Sequence, residues 1–163
     1  MNTSRVLLAI AAFLIGFSSM AQDVVYVDAS AFPVYGKISE ETNGRYERLP
    51  ARLEGVSRKA VWTRGRHSSG LYIRFRSNST SIHAKWESLF NNTYNHMTDI
   101  CTKGLDLYAL VDGEWRFVAP GRPSADGVST FTLAKNMTPV DREFMLYLSM
   151  YDGVKSIEIG VDK

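Results

Sequence analysis

The sequence predicts an all-β fold, a two-sheet antiparallel β-sandwich of jelly-roll type, and three observations carry that reading. From Val24 onward, short runs rich in Val, Ile, Tyr, Phe and Trp are separated by Gly, Asn, Asp and Pro at intervals of roughly ten residues, the spacing of a sandwich or barrel. No long stretch has helical periodicity. The candidate strands are too many and too short for one open sheet, so they pack as two. With 163 residues, 45% hydrophobic and 22% charged, the chain suits one globular domain whose core needs no disulfide framework. Its net charge of +2 reflects a small basic excess rather than a concentrated stripe, and nominates no nucleic-acid partner.

Taken in order, the candidate strands are Val24 to Asp28, Val34 to Ser39 after Pro33, and Arg45 to Leu49 between Gly44 and Pro50. Ala60 to Thr63 follows, then Leu71 to Arg76 after Gly70, and Ser81 to Trp86. Leu105 to Val111 and Glu114 to Ala119 flank Asp112-Gly113, Ser129 to Leu133 follows Gly127, and Phe144 to Tyr151 and Val154 to Val161 flank Asp152-Gly153.

Three hairpins are expected. A turn at Asp152-Gly153 pairs Phe144 with Val161, Leu146 with Ile159 and Leu148 with Ile157; glycine there would supply the positive φ of a type I′ turn. A turn at Asn78-Ser79 sets Leu71, Ile73 and Phe75 against Trp86, Ala84 and Ile82. That pairing puts Arg74, Arg76, His83 and Lys85 on the opposite face, either a solvated exterior or a surface for an anion or acidic glycan. The third turn, Asp112-Gly113, places Asp106, Tyr108, Leu110, Trp115 and Phe117 on one side and Leu107, Ala109, Val111 and Val118 on the other.

The first residues have a different character. Met1 to Ala21 carries Arg5, an apolar run from Val6 to Phe17 and a small-residue end, the pattern of a secretory signal peptide. The run is short for a membrane-spanning helix of about 20 residues, so no stable membrane span is expected after cleavage. The domains expected are therefore a signal peptide at 1–21 and a sandwich at 22–163, with the product secreted or periplasmic in a bacterium. Cys101, the single cysteine, is expected to be buried as a small apolar residue.

The chemistry of common enzymes is missing. No Gly-x-Ser-x-Gly nucleophile elbow occurs, and Gly127-Val128-Ser129 precedes a β-like run rather than a helix. His67, His83 and His96 lack metal-ligand spacing, and no phosphate-cradling glycine loop is present, so no metal and no cofactor is expected. Glu40, Glu41, Glu87, Asp99, Asp106 and Asp126 are carboxylates that sequence alone cannot pair for acid–base work.

One segment resembles a known family. Gly104-Leu105-Asp106-Leu107-Tyr108 is similar to the Gly-x-Asp-Leu-Tyr (GxDLY) signature of the β-sandwich that precedes the catalytic domain in secreted SGNH-hydrolase-type esterases. Ser69 to Phe75, Asn78-Ser79, Trp86, His96-Met97, Leu146 to Leu148 and Tyr151 to Gly160 resemble that family's segments in the family's order. The resemblance implies a non-catalytic accessory domain whose partner is a C-terminal SGNH catalytic domain, in cis or separately encoded. That partner would attack an ester, often an acyl group on carbohydrate, through a serine with a histidine base. The family's nucleophile block, Gly-x-Ser-Ile-Thr, and its later Asp-x-x-His do not occur before Lys163, so no catalytic residue is carried onto this chain. The chain is expected to be a fragment of a longer esterase; a stand-alone carbohydrate-binding or adhesion module, with Tyr108, Trp115 or Trp62 as its platform, is the alternative.

Within this reading Gly104, Asp106, Leu107 and Tyr108 form a structural motif, with Asp106 accepting hydrogen bonds from loop backbone. Asn91, Asn92, Asn95 and His96, on the loop from Trp86 to Met97, together with Trp115, are the expected interface or sugar-facing residues, since amides offer both donors and acceptors to hydroxyls.

Overall fold

The structure, a computed structural model, describes residues 23–163, so the proposed signal peptide lies outside the described residues. In chain order the strands are Val24–Asp28 (β1), Val34–Tyr35 (β2), Tyr72–Ser77 (β3), Ile82–Ser88 (β4), Leu105–Val111 (β5), Glu114–Gly121 (β6), Val128–Ala134 (β7), Arg142–Tyr147 (β8) and Val154–Asp162 (β9). Two short helices, Lys59–Gly65 (α1) and Asp99–Lys103 (α2), interrupt them. The strands form a four-stranded sheet in the order β1-β9-β4-β7 and a five-stranded sheet in the order β2-β3-β8-β5-β6, all pairs antiparallel. The predicted all-β sandwich is the architecture observed.

The third expected hairpin is present. Asp112 and Gly113 adopt φ of 53° and 80°, and Val111, Leu110, Ala109 and Tyr108 face Glu114, Trp115, Arg116 and Phe117. The other two are overturned. β3 belongs to the five-stranded sheet and β4 to the four-stranded one, and β8 and β9 are divided in the same way. Phe144 therefore faces Phe75 and Ala109 rather than Val161, whose partners are Val25 and Ile82. An alternating strand points its apolar residues at the core whether its sequence neighbour lies beside it or across the sandwich, so alternation alone could not choose.

The backbone at Gly153 supplies the missing discriminator. Its φ is not positive; the residue is glycine because a Cβ there would lie 2.8 Å from the Arg66 carbonyl oxygen and from a Leu89 methyl. The expected common face of Arg74, Arg76, His83 and Lys85 is likewise divided between the sheets. Arg74 and Arg76 pair with Glu143 and Asp141, while His83 hydrogen-bonds Ser81 and Thr132 and Lys85 lies over the Tyr26 ring.

Between the sheets Leu71, Ile73, Phe75, Phe144 and Leu146 meet Ile82, Ala84, Trp86, Ile157 and Ile159, all buried. Each large side chain so buried contributes roughly 1.5–3 kcal/mol. Two polar groups pin the loops at one end of this core. Asp152, fully buried, accepts hydrogen bonds from the backbone N–H of Phe90, Asn92 and Gly153 at 3.0, 2.6 and 2.7 Å. Lys103, 1% exposed, donates to Asn91 Oδ1 at 2.8 Å and pairs with Asp99 at 3.3 Å.

Three strand expectations fail where tertiary contacts decide. Ala60 to Thr63 lies inside α1, whose C-terminal carbonyls receive the Arg48 guanidinium: Nη2 donates to Arg64 O at 2.7 Å and Nε to His67 O at 2.9 Å. Arg45 to Leu49 is irregular backbone docked on that helix, with Arg48 N donating to Gly65 O. Val34 to Ser39 pairs only at Val34 and Tyr35, because Gly36, at φ 84°, turns the chain against Gly70, where a Cβ would overlap the Gly70 carbonyl.

Candidate functional site

The outer face of the five-stranded sheet carries an aromatic ring on every strand. Tyr35 of β2 stacks on Tyr72 of β3 at 5.3 Å between centroids. Tyr72 meets Tyr147 of β8 at 5.1 Å, Tyr147 meets Tyr108 of β5 at 5.7 Å, and Tyr108 meets Phe117 of β6 at 5.5 Å. The cause is register: Tyr35, Tyr72 and Tyr147 are direct cross-strand partners, as are Tyr108 and Phe117. Such pairs stabilise a sheet modestly, roughly 0.2–1 kcal/mol each, and leave a continuous aromatic surface on the outer face. Arg74, held by Glu143 at 2.6 Å, brings its guanidinium to 5.8 Å from the Tyr35 ring and 5.5 Å from the Trp115 ring. It thereby links the two edges of the row.

Beside this row lies a groove of about 660 Å³ lined by Asp106, Tyr108, Trp115, Met145 and Tyr147, and closed at its far end by Ile100, Cys101 and Met150. The Gly104 to Tyr108 segment builds its floor. Gly104 ends α2, and a Cβ there would overlap the Ile100 carbonyl and lie 2.9 Å from the Gly121 carbonyl oxygen. Leu105 and Leu107 point into the core, while Asp106 and Tyr108 alternate onto the groove side. Asp106 has Tyr147 as its partner on one neighbouring strand and Pro120 on the other. Burial pushes its carboxyl above the ordinary range, and no charge or hydrogen bond offsets that effect. The expectation that Asp106 accepts from loop backbone is thus corrected: its carboxyl faces the groove without such a donor among the described residues.

Over residues 24–163 the sequence matches the GxDLY family, described as the N-terminus of SGNH-hydrolase-type esterases. The chain belongs to this family. Among solved structures, a protein described as a GDSL-like lipase from Bacteroides ovatus ATCC 8483 is 34% identical, with a TM-score of 0.81 over 86% of this chain and 41% of that one. Salicylyl-acyltransferase SsfX3, from a tetracycline biosynthetic pathway, is 16% identical, with a TM-score of 0.59 over 88% of this chain and 40% of that one; it shows the fold alone. The GxDLY chain therefore spans less than half the length of either solved relative. No curated protein matches it.

In this GxDLY domain the predicted site residues separate into two groups. Gly104, Asp106, Tyr108 and Trp115 come together in the groove, and Leu107 lies in the core behind them. Asn91, Asn92, Asn95 and His96 lie outside the groove. Asn91, at φ 53°, spends its amide on Ala125 O and Lys103, and Asn92 donates to Tyr151 O at 3.3 Å. Asn95 and His96 are exposed and 3.0 Å apart through Oδ1 and Nδ1. Trp62 is in α1, partly buried and apart from the aromatic row.

Cys101, expected inside, is exposed at the end of the groove, because α2 turns Thr102 and Lys103 inward and leaves Cys101 on its outer side. Tyr35, Tyr72, Tyr147 and Met145 are not among the site residues expected from the sequence, and Arg74, expected on a solvated or anion-binding face with Arg76, His83 and Lys85, instead lies beside Trp115. Only the strand order β2-β3-β8-β5-β6 brings these distant positions side by side. Among the described residues no group of His, Cys, Asp and Glu is arranged to hold a metal ion, and no helix is long and apolar enough to cross a membrane.

Proposed function

We propose that this domain is a non-catalytic accessory module of a secreted SGNH-type esterase, and that it presents the groove beside Asp106 to the carbohydrate part of the ester substrate. The observation that carries the reading is the outward aromatic row next to a concave groove that contains an unpaired carboxyl. Sugar rings offer apolar C–H faces to aromatic planes and hydroxyls to polar atoms, and the groove supplies both kinds of contact: Tyr108, Trp115 and Tyr147 as platforms, Asp106 as the hydrogen-bonding group. The domain's contribution to catalysis is then orientation, since holding the glycan fixes where its acyl group lies relative to a neighbouring serine. Asn95 and His96 remain the proposed contacts to the catalytic domain, being exposed and, among the described residues, bonded by their side chains only to each other. The same groove would serve a stand-alone binding module, which differs only in having no esterase partner.

Cys101 provides a direct test because it sits in the groove wall. Alkylation of Cys101 in the purified protein should slow at least about threefold when an acetylated oligosaccharide is present, and Trp115→Ala should abolish that protection. In the protein that carries the catalytic domain, Trp115→Ala should lower kcat/KM on the acetylated oligosaccharide about tenfold, equal to 1.4 kcal/mol, with aryl acetate hydrolysis unchanged. Unprotected Cys101 at saturating glycan, together with equal losses on both substrates, would overturn the reading.

A further inference from the structure

Basic residues are more concentrated in the folded chain than its net charge suggests. The stretch from Arg45 to His67 contains seven Arg and Lys against two Glu. Within it, Arg48, Arg58 and Arg64 converge on a cleft of about 510 Å³ whose walls include Leu49 and Val61 and contain no carboxylate. Arg66, Arg74, Arg76 and Arg116 each form a salt bridge, whereas the three arginines of the cleft form none among the described residues. Arg48 is fixed in place by its hydrogen bonds to Arg64 O and His67 O, so its positive charge is oriented before any ligand arrives. Burial also lowers its pKa, the response of a cation removed from water without a counter-ion.

The cleft borders the aromatic groove. Ser69 lines the cleft, and the next residue, Gly70, lines the groove. A ligand long enough to leave the groove past Gly70 therefore meets a cleft lined by Arg58 and Arg64, with Arg48 anchored beside them, and by the apolar Leu49 and Val61. We propose that this cleft binds the carboxylate of an acidic sugar residue, a hexuronate, in a glycan whose other rings lie in the aromatic groove. The planar guanidinium fork matches a carboxylate, and Leu49 and Val61 suit the C–H face of the ring that carries it. The concave form favours such a ligand over a flat protein surface. The proposal rests on the groove being a glycan site, and the experiment separates the two claims.

Binding of tetragalacturonate and of its fully methyl-esterified, neutral form would be measured by titration calorimetry on the purified protein. The acidic form should bind about tenfold tighter or more, equal to about 1.4 kcal/mol. In an Arg58→Gln, Arg64→Gln double variant that ratio should collapse towards one while the neutral form binds as before, which also shows that the exposed substitutions leave the fold intact. Trp115→Ala should weaken both forms. Equal binding of the two forms by the unaltered protein would overturn the cleft and leave the groove standing. Preference for the acidic form with no effect of Trp115→Ala would leave the cleft standing and remove the groove. Full displacement of tetragalacturonate by an equal concentration of inorganic phosphate, at constant ionic strength, would overturn the sugar assignment in favour of a general anion site.

Discussion

Asp106 stands opposite Tyr147 across the ladder between β5 and β8, and its half-buried carboxyl faces the groove with its pKa raised by burial alone. The third residue of the family motif therefore lies where a ligand would touch it, while the residues on either side of it, Leu105 and Leu107, hold the core.

Replacing Asp106 with Asn should raise stability at neutral pH. Because its pKa is higher folded than unfolded, the native state holds its proton more tightly, so this group favours folding at low pH. That contribution is lost as pH rises from the unfolded value near 3.8 through the raised folded one. The gain from Asn is about 0.5 kcal/mol after solvent screening and should vanish near pH 3. Urea unfolding at pH 3 and pH 7 measures it. A loss of stability at pH 7 would mean that the carboxylate supports the fold. The same variant should weaken protection of Cys101 by glycan.

Asp152→Ala should cost about 3 kcal/mol, since it strands three backbone N–H groups that a buried carboxylate now satisfies. Thermal unfolding would show the loss, and hydrogen exchange should place it first at Phe90 and Asn92. A fall below about 1 kcal/mol would show that water replaces the carboxylate easily.

Gly104→Ala should cost about 2 kcal/mol by overpacking. Gly104 has φ −70°, so no backbone strain is involved; the Cβ simply has no room between the Ile100 and Gly121 carbonyls. Unchanged denaturant midpoints would show that α2 can shift freely.

Acidification from pH 7 should destabilise the domain in the range where unfolded histidine takes up a proton. His67 is lowered chiefly by burial, with Asp152 opposing, and His83 is lowered by burial. Each is therefore neutral in the fold when its unfolded counterpart, with a pKa near 6.5, begins to charge, and stability falls until the lowered folded pKa is reached. His67→Gln should flatten the dependence between pH 7 and 5 in melting scans. An unaltered slope would assign the effect elsewhere.

The β5–β6 hairpin was legible because Asp112-Gly113 encodes its turn locally. The crossings at Asn78-Ser79 and Asp152-Gly153 were not, because their contacts are distant in sequence: Asp162 bonds Ser79, Thr80 and Ser81 at the first, and at the second Gly153 packs on Leu89 and Arg66 while Asp152 captures the Phe90 and Asn92 amides. α1 escaped notice for the same reason, its β-branched Val61 and Thr63 resembling a strand until Arg48 closes the helix end. Of the site, Asp106, Tyr108 and Trp115 could be placed on one face from a single hairpin. Their partners on β2, β3 and β8 could not, and neither could the solitude of the Asp106 carboxyl, which is a property of everything around it.

The position of β9 has a consequence for assembly. It lies between β1 and β4, so the first and last strands of the described chain are direct neighbours, joined from Val24 opposite Asp162 to Asp28 opposite Glu158. During synthesis β1 emerges more than a hundred residues before β9, the one strand among the described residues that pairs with it, and until then it is an open edge awaiting a template. Any polypeptide that stops short of Val154 leaves that edge and β4 exposed together. The smallest unit able to close its sheets must therefore include both Val24–Asp28 and Val154–Asp162, and trimming either end should produce sticky, sheet-forming chains instead of a smaller working domain.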